Sequence, residues 1–263
     1  MKKLLFFTLI LVHTLCFSQA TSLIASKTSS QFIEADEFVG EDIYNNLYYI
    51  KNNSFFKKSK HELFHYKNVS FGKITKVDLQ NPLRILLFYQ NFNTLIVLDN
   101  QLNEIQRINF SEIDNSLTLT AVGNATQNGY WFFDQNTQQL KIYHYTSGTF
   151  QNIGTIFDTT IKNYDTALNY FYWIDTENIL YRSDLFGKKQ GLGKIPEYDR
   201  ISLNDGLTLI YEKDQKLYLF EVTKNKSTLI ENVQNSFKSF YFKNQNLTIF
   251  TPEGITNYKI NLP

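Results

Sequence analysis

The stretches RILLFY (residues 84–89) and YFYWI (170–174) are apolar at nearly every position. Side chains on a strand alternate between its two faces, so such a run needs cover on both sides of its sheet. Similar runs recur as LYYI (47–50), YWFF (130–133), LTLIY (207–211) and LTIF (247–250). With Tyr49, Tyr89, Phe133, Ile174, Tyr211 and Phe250 as anchors, the intervals are 40, 44, 41, 37 and 39 residues. A period near forty marks a chain built from repeated units.

Each anchor run leads through a turn into a more alternating strand, as in NTLIVLDN, QQLKIYHY, ENILYRS, QKLYLFEV and GITNYKI. The turns carry Asn, Asp and Gly, which tolerate the positive φ of tight hairpins. A more polar strand follows, such as NEIQRINF or KSTLIEN. A short extended segment precedes each anchor: KITKVDL, LTLTAV, IKNYD, DRISL and FKSFYF. Each unit therefore reads as four antiparallel strands whose burial peaks at the second and falls outward. The fold expected is all-β, a β-propeller of six four-stranded blades.

After Phe250 there is room for one further strand, GITNYKI (254–260), so the last unit lacks its outer strand. SLIASK (22–27), which precedes the first strand of unit one, FIEADEF (32–38), is expected to supply it. An outer-membrane barrel would alternate lipid-facing and lumen-facing residues, which the unbroken runs oppose. The regular period disfavours an irregular β-sandwich.

The chain opens with Met1-Lys2-Lys3 and an apolar run from Leu4 to Phe17, shorter than the ~20 residues of a spanning helix. Residues 1–18 read as a secretory signal cut after Ser18, which leaves a single propeller domain over 19–263. Lipidation at Cys16 is the alternative, but Leu15 stands where a small residue is wanted. The cut removes the only cysteine, so an exported chain would rely on its core without disulfides. Loss of Lys2 and Lys3 takes the formal charge from +1 to −1, a balance unlike that of a nucleic-acid binder.

His61-Glu62-x-x-His65 matches the H-E-x-x-H zinc-protease pattern, which requires both histidines on one helix face. The repeat places it on the outer strand of the first unit, where a four-residue step spans ~13 Å. The match is therefore read as fortuitous. Lys57-Lys58-Ser59-Lys60 reads as a solvated hairpin or a charged edge. SLNDGLTL (202–209) departs from an Asp-box at Asn204 and Leu209 and reads as a hairpin. Asp78, Asp99, Asp134, Asp165, Asp175 and Asp184 fall near strand ends and read as turn residues, since no dense run of oxygen ligands accompanies them. No G-x-S-x-G, Walker loop or Cys-His pair is present. The expectation is a chain without catalytic, metal or cofactor residues, and no particular partner-binding residue is identified. Residues gathered at a propeller axis from different blades would leave no linear motif.

Residues 71–110, FGKITKVDLQNPLRILLFYQNFNTLIVLDNQLNEIQRINF, together with 130–145, resemble a family of small exported β-propellers of bacteria that run the type 9 secretion system. The run Asp78-Leu79-Gln80-Asn81-Pro82-Leu83 and then Leu98-Asp99-Asn100 carry the likeness. One group of this kind is similar to the plug subunit that closes the periplasmic mouth of the type 9 translocon. The resemblance implies a non-catalytic, periplasmic interaction module whose partner is a large outer-membrane secretion channel. The alternative is a secreted enzyme or a glycan- or small-ligand-binding propeller that uses its axial face.

Overall fold

The computed structural model describes residues 22–126, 128–203 and 206–262, and the expected signal segment with its cut after Ser18 lies outside them. The chain folds as a six-bladed β-propeller of four-stranded antiparallel blades, with one short parallel strand added to the outer edge of blade 5. The inner strands are Glu37–Glu41, Lys76–Asp78, Leu119–Ala125, Ile161–Ala167, Arg200–Ser202 and Ser239–Lys243 for blades 1 to 6. Every anchor falls on a second strand: Leu47–Lys51, Ile85–Tyr89, Gly129–Asp134, Tyr170–Asp175, Thr208–Lys213 and Asn246–Thr251. Among the described residues helix is confined to one turn at Phe110–Ile113 and two 3₁₀ turns.

The apolar runs are explained by where their alternate residues go. Ile85, Leu87 and Tyr89 pack with Tyr48 and Phe55 of blade 1, while Leu86 and Phe88 pack with Tyr130 and Phe132 of blade 3. Trp131 and Phe133 turn the other way, onto Phe171 and Trp173 of blade 4. The core is thus six hydrophobic clusters, one between each pair of neighbouring blades. Outer strands are more polar, and all but that of blade 5 have no neighbour on one edge; Ser26–Gln31 is exposed along its whole length.

Tight turns follow the residue chemistry. Asn52-Asn53, Asp214-Gln215 and Asn244-Gln245 all hold positive φ at both positions, the geometry whose twist matches that of the flanking strands. Asp99, Asp175 and Asp184 each accept backbone amides two and four residues ahead. These three are turn carboxylates, as expected.

Closure differs from expectation in register. Ser26–Gln31, not residues 22–27, pairs with Gly254–Lys259 and completes blade 6. Leu23–Ile24 instead runs parallel to Lys226–Glu231, the outer strand of blade 5. The N-terminal segment therefore bridges two blades, and the buried Ala25 between the two pairings packs among Ile210, Ile230 and Phe242. The first inner strand also starts later than FIEADEF, at Glu37, because residues 32–36 are spent crossing from the outer to the inner strand.

Two further readings are corrected. Lys57 is not solvated: its side chain is buried, donates to the Asn100 carbonyl at 2.8 Å and lies over the Tyr48 ring, tying blade 1 to blade 2. His61 and Glu62 sit in the loop before the outer strand Leu63–Lys67, and His65 on that strand stacks its ring on Phe56. Asn204 and Asp205 of the SLNDGLTL stretch lie outside the described residues.

Candidate functional site at the propeller axis

The inner strands converge on a cavity of about 510 Å³ at the axis. Its two halves differ in chemistry. Blades 2 and 4 present Lys76, Asp78, Gln80, Asn163, Asp165 and Thr166, whereas blades 1, 5 and 6 present Val39, Ile201, Phe240 and Tyr241 together with Ser202 and Lys243.

The polar half exists because blade 3 is recessed. Gly123 on its inner strand has no side chain, and Thr166 of blade 4 occupies the space that a Cβ there would need. Blades 2 and 4 consequently touch across blade 3: Gln80 Nε2 donates to the Thr166 carbonyl at 2.6 Å. Asp78 lies at the centre of this contact. It accepts from the Asn124 amide and Asn124 Nδ2 at 2.8 and 3.0 Å, from Thr166 Oγ1 at 3.2 Å, and from the amide and Nε2 of Gln80 at 2.8 and 3.0 Å. Five donors satisfy the oxygens of this buried carboxylate.

Lys76 reaches from blade 2 toward blade 4, its Nζ 3.5 Å from Asp165 Oδ1 and 5.0 Å from the Tyr164 ring centre. About a third of the Lys76 side chain still faces the bore, and rather more of Asp165 does. Burial draws the ammonium pKa down, but Asp165, Tyr164 and Asp78 outweigh burial and hold it above the usual lysine value. Burial also raises the Tyr164 phenol, against the pull of Lys76, and raises Tyr241, with help from Asp165, Glu41 and Asp78. Both phenols therefore keep their protons at neutral pH and remain able to donate. Tyr164 Oη already accepts the Val122 amide at 3.2 Å, which fixes its orientation. The Tyr241 ring lies against Gly40, where any Cβ would come within 2.9 Å of it.

Asp78 and Asp165 are therefore more than turn residues, which corrects the reading of both. Lys76, Tyr164, Thr166 and Tyr241 carried no motif. Their one sequence signal is polarity within the short segments before the anchors, KITKVDL and IKNYD above all. His61, Glu62 and His65 are remote from the axis, on the outer edge of blade 1. Among the described residues, no three His, Cys, Asp or Glu side chains converge as a metal site would require. No helix among them is long and apolar enough to cross a membrane.

The loops joining inner to second strands surround one mouth of the cavity. They carry exposed apolar side chains on four blades: Ile43 and Tyr44, Leu83, Leu168 and Leu207, between 42 and 70 % exposed.

No protein-family model matches the chain, and no curated protein matches it in sequence. Many solved structures do match its fold. Virginiamycin B lyase from Staphylococcus aureus superposes with a TM-score of 0.58 at 10 % identity, over 85 % of this chain and 79 % of that one. A luciferin-regenerating enzyme matches with a TM-score of 0.52 at 10 % identity, over 92 % and 96 %. A chain of the nidogen–laminin complex matches with a TM-score of 0.53 at 12 % identity, over 73 % and 77 %. Likeness at this identity shows the fold alone. It nevertheless overturns the expectation of a non-catalytic chain. That expectation rested on missing linear motifs, and enzymes are built on this same ring.

Proposed function

We propose that the protein is exported to the periplasm and docks on a large outer-membrane secretion channel as a plug or accessory subunit of the type 9 translocon. The observation that carries this reading is the ring of exposed apolar side chains, Ile43, Tyr44, Leu83, Leu168 and Leu207, around one mouth of a closed six-bladed disc. Exposed apolar groups gathered on one face mark interaction surfaces. The loops that carry Ile43, Tyr44, Leu83 and Leu168 are each held at both ends by strands of their own blade, so little ordering cost opposes docking there. The resemblance of residues 71–110 and 130–145 to exported propellers of type 9 secretion bacteria supports the same reading. A neighbour of this fold in the nidogen–laminin complex gives a parallel for such a ring within a protein complex.

Affinity purification of the tagged protein, at native expression in mild detergent, is expected to recover a large outer-membrane protein. Tyr44→Asp with Leu83→Asp is expected to abolish that recovery while leaving the fold intact. Recovery of the protein alone, or of an unaltered complex with the double variant, would overturn the proposal.

A further inference from the structure

The axial cavity has a chemistry that docking of the rim does not use. Four charged side chains line it, Lys76 and Lys243 against Asp78 and Asp165, so it carries no net formal charge. Their remaining bonding capacity is unequal. Asp78 is saturated by five donors within the protein. Asp165 accepts the Thr166 amide at 3.0 Å, and its contact with Lys76 is long at 3.5 Å. The Tyr241 hydroxyl makes no hydrogen bond among the described residues and borders both this cavity and a smaller one beside blade 1.

At the partly exposed Lys76–Asp165 pair a charged ligand would displace one member and leave the other without its partner, while Lys243 elsewhere on the lining makes no ion pair among the described residues. A neutral ligand avoids that displacement if it can donate to the carboxylate and accept from the ammonium together. Adjacent hydroxyl groups do so, since each is both donor and acceptor. On the opposite side Val39, Ile201 and the Tyr241 ring offer an apolar surface, with Ser202 and Lys243 beside it. A pyranose matches both walls, with hydroxyls along its edge and C–H groups on its face. The volume lies within the ~300–1,000 Å³ range of small-ligand sites.

We propose that the axial cavity binds a neutral saccharide, with one pyranose ring between the Lys76–Asp165 pair and Tyr241. Gly123 and Gly40 build the site by letting Thr166 and Tyr241 lie where side chains at those positions would exclude them.

The test is saturation-transfer NMR and isothermal titration of the purified protein with glucose, galactose, mannose, N-acetylglucosamine and cellobiose. Glucosamine and gluconate serve as charged comparators of similar size. At least one neutral sugar is expected to bind more tightly than either comparator. Lys76→Met and Asp165→Asn are each expected to weaken it about tenfold or more, the value of a hydrogen bond to a charged group. Tyr44→Asp with Leu83→Asp is expected to leave sugar binding unchanged, which separates this site from the docking surface. Absence of binding by all five neutral sugars, tighter binding of a charged comparator, or unchanged affinity in both pair variants would each overturn the proposal. Should either pair variant fail to fold, Tyr241→Ala takes its place, and unchanged affinity there counts equally against it.

Discussion

Thr166 of blade 4 stands directly on Gly123 of blade 3, its Cβ 2.6 Å from where a Cβ at Gly123 would lie. This contact lets blade 4 reach Asp78 and Gln80 of blade 2, so the polar wall of the cavity depends on a missing side chain. Gly123→Ala is expected to destabilise the protein by roughly 1–3 kcal/mol through overpacking. Combining it with Thr166→Gly should give a smaller loss than the sum of the two single variants. Urea unfolding of the four-protein cycle measures that coupling; strict additivity would show that the two positions do not meet.

Ring closure should be sensitive at Ala25, which is buried between the pairings to blades 5 and 6. Ala25→Asp places a carboxylate among Ile210, Ile230 and Phe242, with an expected loss of roughly 3 kcal/mol. Ser30→Asp, on the exposed outer strand only a few residues later, is expected to stay within about 0.5 kcal/mol. Thermal and urea unfolding of the two variants checks the contrast. Equal effects would mean that the N-terminal segment is not clamped at Ala25.

Acid sensitivity should localise in part to Asp134, a buried carboxylate 3.0 Å from Lys141 Nζ and 2.6 Å from Thr137 Oγ1. Burial raises its pKa, but the hydrogen bonds from Thr137, Lys141 and the Thr118 amide outweigh burial and leave it below the ordinary 3.8. The folded form thus binds this proton less tightly than the unfolded chain does. Its stabilising contribution is complete above the ordinary value and is lost as pH falls through the lowered one. Asp134→Asn is expected to cost roughly 2 kcal/mol at neutral pH. The gap to the wild type should narrow as pH drops below 3.8, the ordinary value. A gap independent of pH in urea unfolding series would remove Asp134 from the acid response.

The repeat, the blade number and the identity of every second strand were legible in sequence because burial on both faces forces a local composition. Ile85 to Tyr89 cannot be polar at any position when alternate side chains enter the cores with blade 1 and blade 3. Turn carboxylates such as Asp99, Asp175 and Asp184 were legible for a similar reason, since their partners lie within four residues. What misled was any residue whose partner is far along the chain. Lys57 looked like surface charge, yet its acceptor is 43 residues away. Asp78 looked like a turn residue, yet Thr166 reaches it from 88 residues away.

Sequence alone therefore determined a six-unit all-β ring, because its signal is the periodic alternation of local burial. Only the tertiary structure decided which polar residues meet at the axis, how far blade 3 recedes, and where the N-terminal segment crosses from blade 5 to blade 6. Those outcomes depend on contacts across blades, which leave no spacing rule in the chain. A glycine at 123 and a threonine at 166 become one feature only when the ring brings them together.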